Sequence, residues 1–313
     1  MTQASEGGER LDRAAFDRLF EQVSNWGRFG PDDERGTLNL IRPEHVRAAA
    51  GLVQEGRSVS LARPFDTVPG PDNTKPALHY MSNLGDRDTP EPTANMDFVG
   101  VDFHGKAVSH LDALCHIVYR GQLYQGRSSE AVVHSTGSSF AAVTNAADGI
   151  VGRGVLLDAA AAEGVEWLEP GRALGPADLE AIESRLGVRV GPGDIVLLRS
   201  GQFARRAALG PWDSDATSAG LDPSAMPWLA ERQVAALGGD GDSDARPSRV
   251  EGVSSPIHVL AIVAMGMNLF DNLDLERLSA ECARLGRYEF CFVAAPLVVP
   301  GGTGSPVNAL ALL

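Results

Sequence analysis

Short, unbroken apolar runs constrain this chain more than any other feature of its sequence. Gly154-Val155-Leu156-Leu157-Asp158 and Asp194-Ile195-Val196-Leu197-Leu198-Arg199 are too short for helices and apolar at consecutive positions. A run of that kind is buried on both sides, as the inner strands of a covered sheet are. Tyr288 to Ala294 and Leu297 to Val299 read as further strands, and Val59-Ser60-Leu61 as a short one. Between them, Leu11 to Val23, Pro43 to Val53, Ala177 to Leu186, Pro227 to Ala236 and Leu273 to Leu285 carry apolar residues at helical spacing. This alternation predicts an α/β or α+β fold around a buried sheet. Two stretches are expected to be loops: Asp66 to Met96, rich in Pro, Gly, Asn and Asp, and the acidic, Ser-containing segment from Gly239 to Ser248. The first is long enough to cover a binding face.

Charge and composition narrow the function. Lys and Arg total 27 against 41 Asp and Glu, a net charge of −14, so the basic footprint that a nucleic-acid backbone requires is missing. With 43% hydrophobic residues in 313, the chain can bury a sizeable core as one large domain or two small ones. The apolar run Ile257 to Met267 is interrupted by His258 and Gly266 and is shorter than the roughly 18 to 20 residues of a membrane span. No membrane partner is expected. The first residues are polar and acidic, unlike a secretory signal, and residues 1 to 12 read as a frayed leader. Three cysteines, Cys115, Cys282 and Cys291, lack paired spacing. They suit reduced thiols in a cytoplasm. The glycines form neither a Walker loop nor a dinucleotide fingerprint, so nucleotide binding has no support.

Chemistry concentrates in one segment. Three of the seven histidines fall within His104-Gly105-Lys106-Ala107-Val108-Ser109-His110-Leu111-Asp112-Ala113-Leu114-Cys115-His116. On an extended strand His110 and Asp112 share a face, where imidazole and carboxylate can hold one divalent ion. If the chain turns helical after Asp112, His116 joins that face. A structural cluster would instead bury four polar groups that all need partners. His258 is a lone histidine in an apolar stretch, and His45, His79 and His134 lie in polar or loop contexts. Cys115, between Leu114 and His116, reads as a small buried hydrophobe, and Ser109 and Cys115 face away from their histidine neighbours on a strand.

The order His-x-Asp-x3-His resembles the bacterial cyclase family that includes kynurenine formamidase and isatin hydrolase. Asn25-Trp26-Gly27, Gly36-Thr37-Leu38-Asn39, Gly193-Asp194-Ile195-Val196-Leu197-Leu198-Arg199 and the closing Gly301-Gly302-Thr303-Gly304-Ser305-Pro306-Val307-Asn308 extend the resemblance over residues 25 to 313. It implies a swivelling β/α/β-type α/β fold with a central mixed sheet and flanking helices. The domain division it suggests is a leader and helix over residues 1–24 and one cyclase-like domain over residues 25–313. It also implies a homo-oligomer (dimer or tetramer) and amide or lactam hydrolysis with bound zinc or manganese. By position, His110 and Asp112 match the family's second histidine ligand and its metal-binding aspartate, and His116 matches the proton-transfer histidine. The first ligand of the better-known hydrolases stands four residues before the second, and here that position is Lys106, an ammonium with no lone pair. His104 can stand in for it only if the chain bends, because six extended residues span about 20 Å. His258 matches the later metal histidine. The glutamate expected some twelve residues on is replaced by Phe270, with Asp271 one step beyond.

The sequence therefore predicts a metal-dependent hydrolase acting on the amide, lactam or formamide bond of a small molecule. His104, His110, Asp112, His258 and Asp271 are its candidate ligands, and His116 its proton-transfer residue. Trp26, Phe29, Phe65 and Tyr80 are candidate walls for the substrate. A cyclase, dehydratase or isomerase using the same ion, and a member that binds a small molecule without catalysis, are the alternatives.

Overall fold

The structure, a computed structural model, describes residues 10–85 and 91–313. Most of the expected leader, residues 1–9, lies outside the described residues. The strands that matter here are β1 (Ser58–Ser60), β2 (Leu78–Asn83), β3 (Met96–Gly100), β4 (His110–Asp112), β5 (Ile150–Asp158), β6 (Ile195–Arg199), β7 (Ala236–Gly239), β8 (Asn268–Asp271), β9 (Glu289–Ala294), β10 (Gly304–Pro306) and β11 (Leu310–Leu312). Nine of them form one mixed sheet in the order β1-β11-β9-β5-β6-β7-β8-β4-β10. The central strands β5, β6, β7 and β8 run parallel, and antiparallel strands extend the sheet at both ends.

Alternation along the central strands sorts side chains into two cores. Val155, Leu157, Val196, Leu198, Leu237 and Leu269 point to one face, and Leu156, Ile195, Leu197, Ala236 and Phe270 to the other. Helices α1 (Arg13–Val23) and α2 (Pro176–Leu186) contribute Phe16, Leu179 and Ile182 to the first core. The helical segments Pro256–His258 and Val259–Met265 cross the same face. Helix α3 (Glu276–Leu285) packs Leu278 and Cys282 into the second core. Each large apolar side chain buried in this way contributes about 1.5–3 kcal/mol. Gly154 on β5 lies opposite Phe290 on β9, and a Cβ there would sit 2.2 Å from the ring, so only glycine fits.

Several expectations need correction. Leu297 to Val299 is an exposed, irregular segment; the last two strands are β10 and β11. Pairing with β4 and with β1 and β9 places strands where apolar content alone does not. The stretch from Pro227 divides into a helix, Met226–Glu231, and strand β7, whose Gly238-Gly239 hides it from a propensity reading. The long loop from Asp66 contains the hairpin β2–β3, apart from residues 86–90, which lie outside the described residues. Among the described residues no helix is long and apolar enough to cross a membrane.

Candidate metal centre

The site is built at the junction of β4 and β8. Register pairs His110 with Asp271 and Asp112 with Leu269, so His110, Asp112 and Asp271 all face the side of the sheet covered by Pro256–Met265. That segment's first turn delivers His258. The result is a closed ring of four side chains. His110 Nε2 lies 3.6 Å from Asp112 Oδ1 and 3.9 Å from Asp271 Oδ2, while His258 Nε2 lies 3.7 Å from Asp112 Oδ2 and 3.2 Å from Asp271 Oδ2. Donors bound at about 2.1 Å to one tetrahedral ion stand about 3.4 Å apart; ligand atoms of Asp112, His258 and Asp271 all lie within 4.8 Å of one another, so these three have the span of a cation site, with His110 beside them. Two of its oxygens, Asp112 Oδ2 and Asp271 Oδ1, are buried without a hydrogen-bond partner. Such atoms are costly unless something positive meets them, and the residues present therefore fit a divalent ion.

The electrostatics agree. Burial works against the Asp112 carboxylate, but His116, His104 and His110 outweigh it and hold its pKa below the usual range. Burial also disfavours a proton on His258, yet hydrogen bonds to Asp244 and Asp271 win and raise its pKa well above the ordinary imidazole value. The ring is thus a place where positive charge is favoured. Both ring histidines are oriented from behind. His110 Nδ1 faces the Val108 carbonyl at 3.3 Å, and His258 Nδ1 donates to Asp244 Oδ2 at 2.6 Å, so each Nε2 points inward.

His104 and His116 form a second layer. The chain bends at Asp102–Gly105, where Gly105 N donates to the Asp102 carbonyl, and this brings His104 back to Asp112. His104 Nδ1 donates to Asp112 Oδ1 at 2.8 Å, and its Nε2 meets Thr303 Oγ1 at 2.9 Å. Gly304 leaves the room it needs, since a Cβ there would lie 2.8 Å from the imidazole. Ligand-capable atoms of His104, His110 and Asp112 lie within 4.8 Å of one another, but both nitrogens of His104 are already engaged. The segment after Asp112 is a turn and not the helix that its residues allow, with His116 N donating to Ala113 O. The turn still sets His116 Nε2 3.9 Å from Asp112 Oδ2. Burial lowers the His116 pKa to about 4, opposed by Asp112.

These residues line a cavity of about 310 Å³ together with Pro71, Lys75, Lys106, Ile117, Asp242 and Arg246. The walls are polar and charged. None of Trp26, Phe29, Phe65 and Tyr80 is among the lining residues. Trp26 donates from Nε1 to the Val263 carbonyl and packs against Phe20, and Tyr80 stacks on Phe98 within the hairpin. Lys106 does reach the cavity. Burial works against its charge, but Asp242, Asp215 and Asp271 outweigh it and raise its pKa, so it remains an ammonium. Sequence reasoning missed Asp242, Asp244 and Arg246, which sit in what reads as a solvated acidic loop, with nothing in their spacing to single them out. A larger, more open groove of about 800 Å³ beside α2 is lined by apolar side chains such as Trp167 and Ile182 together with Glu, Asp and Arg, and contains no histidine.

A mixed α/β sheet flanked by helices, with a buried histidine–aspartate centre at one end of its parallel strands, defines the class to which this chain belongs. Residues 59–243 match the Cyclase family, described as "Putative cyclase". A crystal structure of a novel cyclase shares 30% identity over 94% of this chain and 99% of its own, with a TM-score of 0.83. The chain belongs to the cyclase family. Isatin hydrolase A from Labrenzia aggregata, bound to benzyl benzoate, is 22% identical over 85% of this chain and 97% of its own, with a TM-score of 0.59. Isatin hydrolase A from Ralstonia solanacearum is 24% identical over 87% of this chain and 98% of its own, with a TM-score of 0.58. At those identities the likeness is one of fold. No curated protein gives a significant match.

Proposed function

We propose that the protein is a metal-dependent hydrolase that cleaves an amide, lactam or formamide bond of a small molecule, with the ion held by His110, Asp112, His258 and Asp271. The observation that carries this reading is the cluster itself, in which Asp112, His258 and Asp271 converge, His110 adjoins them and two carboxylate oxygens are orphaned. When bound, zinc or manganese supplies Lewis acidity that polarises a carbonyl and eases deprotonation of water. The protein's own residues do the rest. His116, neutral at physiological pH, takes a proton at Nε2 from the attacking water and returns it to the leaving nitrogen. His104 stacks on that ring and restrains it, while its Nδ1–H orients Asp112. Cys115 is buried with its thiol pushed up to about 11 by desolvation, so attack by water is favoured over a covalent route through this thiol.

The named isatin hydrolase structures support the choice of a carbon–nitrogen bond. Hairpin β2–β3 exposes Leu78, Tyr80, Met81, Phe98 and Val99, an apolar surface that supports a homo-oligomer (dimer or tetramer). Three buried, unpaired cysteines support a cytoplasmic setting.

The test is metal analysis of the purified protein followed by turnover of candidate lactams and formamides in ¹⁸O-water. One divalent ion per chain and one solvent oxygen in the acid product are expected. A converted product without solvent oxygen would move the reaction to cyclisation, dehydration or isomerisation.

A further inference from the structure

The charges on the cavity wall are matched, but one pairing is unlike the others. Lys75 is tied to Asp102 at 2.6 Å, Asp72 to Arg206, and Asp271 belongs to the ring. Lys106 and Arg246 instead share one buried carboxylate, Asp242, at 3.2 and 2.9 Å. The other donors of Arg246 are spent on the Ser254 carbonyl and Ser255 Oγ, each at 3.0 Å. Both cations are withdrawn from water, their side chains 13% and 14% exposed. The two buried cations thus share one hydrogen-bonded carboxylate, with buried Asp271 also acting on Lys106 and buried Asp244 on Arg246.

Asp215, a rim residue whose side chain is 68% exposed, approaches Lys106 Nζ at 3.4 Å, longer than a good charged hydrogen bond. Among the described residues its carboxylate has no other ion-pair or hydrogen-bond partner. An exposed pair of this kind is weak, whereas a carboxylate brought into the cavity meets the same ammonium in a drier setting where the attraction is stronger.

The geometry points to a substrate that carries a carboxylate, anchored by Lys106, with Asp215 holding its place and giving way to it. One carboxylate, that of exposed Asp215, gives way to one incoming carboxylate. The cavity, at about 310 Å³, lies at the small end of ligand sites, so the substrate is a short acid with its scissile amide a few atoms away. The identity of that bond rests on the hydrolase reading above. The charge argument does not use the ion.

The experiment compares succinamate, a short amide acid, with its neutral counterpart succinamide by calorimetric titration of the zinc-loaded full chain. Wild type is expected to bind succinamate at least about tenfold more tightly, the order expected of one charge-assisted hydrogen bond. Lys106→Met is expected to abolish the preference. Asp215→Asn, at an exposed position that tolerates change, is expected to tighten succinamate severalfold but not succinamide. Equal affinities, no saturable binding of either, a preference that survives Lys106→Met, or weaker succinamate binding by Asp215→Asn would each overturn the inference. Zinc analysis of the same samples separates the two readings. Bound zinc without the preference removes the anchor and leaves the hydrolase standing; the preference without bound zinc supports the anchor and removes the metal centre.

Discussion

The imidazoles of His104 and His116 lie face to face, their centroids 3.6 Å apart and their planes 1° from parallel. Two rings this close repel each other if both are charged, and burial already pushes His116 down to about 4. His116 is therefore a neutral imidazole near pH 7, next to the cavity and with Asp112 beside it. That is the protonation state a general base needs.

The pH dependence of turnover follows from this. A base acts in its neutral form, and the neutral fraction of His116 falls only as pH drops through about 4. The acid limb of kcat/KM is expected near that value, with little loss between pH 7 and 5.5. An ordinary imidazole, with a pKa near 6.5, would be about tenfold less available at pH 5.5. His116→Ala is expected to lower kcat by about 10²–10⁴ with metal content unchanged. An acid limb centred near 6.5, or a variant that keeps most of its rate, would take the proton-transfer role away from His116.

Asp244 is expected to control metal affinity without touching the ion. Its carboxylate accepts from His258 Nδ1 at 2.6 Å and from Ile257 N at 2.8 Å, which fixes both the ring and the helical turn that carries it. Asp244→Asn removes the charge and loosens the ring, and a loss of about 10–100-fold in zinc affinity is expected. Competition with a chromophoric chelator measures it. Affinity equal to wild type would mean that His258 is oriented by packing alone.

How much of this could be read in advance depended on whether the signal was local. The central strands β5 and β6 announce themselves because burial on both faces forces consecutive apolar residues, and His110 and Asp112 share a face because a strand repeats every two residues. His258 and Asp271 entered as candidates through family resemblance, since nothing local distinguishes a lone histidine in an apolar run. The pairing of His110 with Asp271 across 160 intervening positions is a matter of register between β4 and β8, which no short window contains. Asp242 and Asp244 were invisible for the opposite reason. An acidic, glycine-containing loop usually faces water, and only the fold turns this one inward. The aromatic walls failed likewise, because sequence does not say which side of a loop meets a cavity.

Cys115 is expected to be inert. It is 2% exposed, and burial raises its thiol to about 11, so the reactive thiolate appears only as pH rises toward that value. Iodoacetamide at pH 8 is expected to leave it unmodified in the folded protein, and Cys115→Ala to keep its rate within about threefold, because a buried, protonated thiol is a weak nucleophile. Stoichiometric alkylation of Cys115 with matching loss of activity would revive a covalent route.

Gly154 tests the packing beneath the site. It faces Phe290 across the β5–β9 pair, and a Cβ would lie 2.2 Å from Cε2 and 2.7 Å from Cζ of that ring. Phe290 is fully buried among the second core, so the ring cannot swing aside without displacing its neighbours. Overpacking of this kind costs about 1–3 kcal/mol, and Gly154→Ala is expected to lower the unfolding free energy by that amount, read as a lower denaturation midpoint with an unchanged denaturant slope. Phe290→Ala alone leaves a cavity and costs about 3–5 kcal/mol. In the double variant the added methyl enters space the ring has vacated, so the combined loss should fall short of the sum by about 0.5–3 kcal/mol. Strict additivity would show that the strain in Gly154→Ala arises somewhere other than this contact.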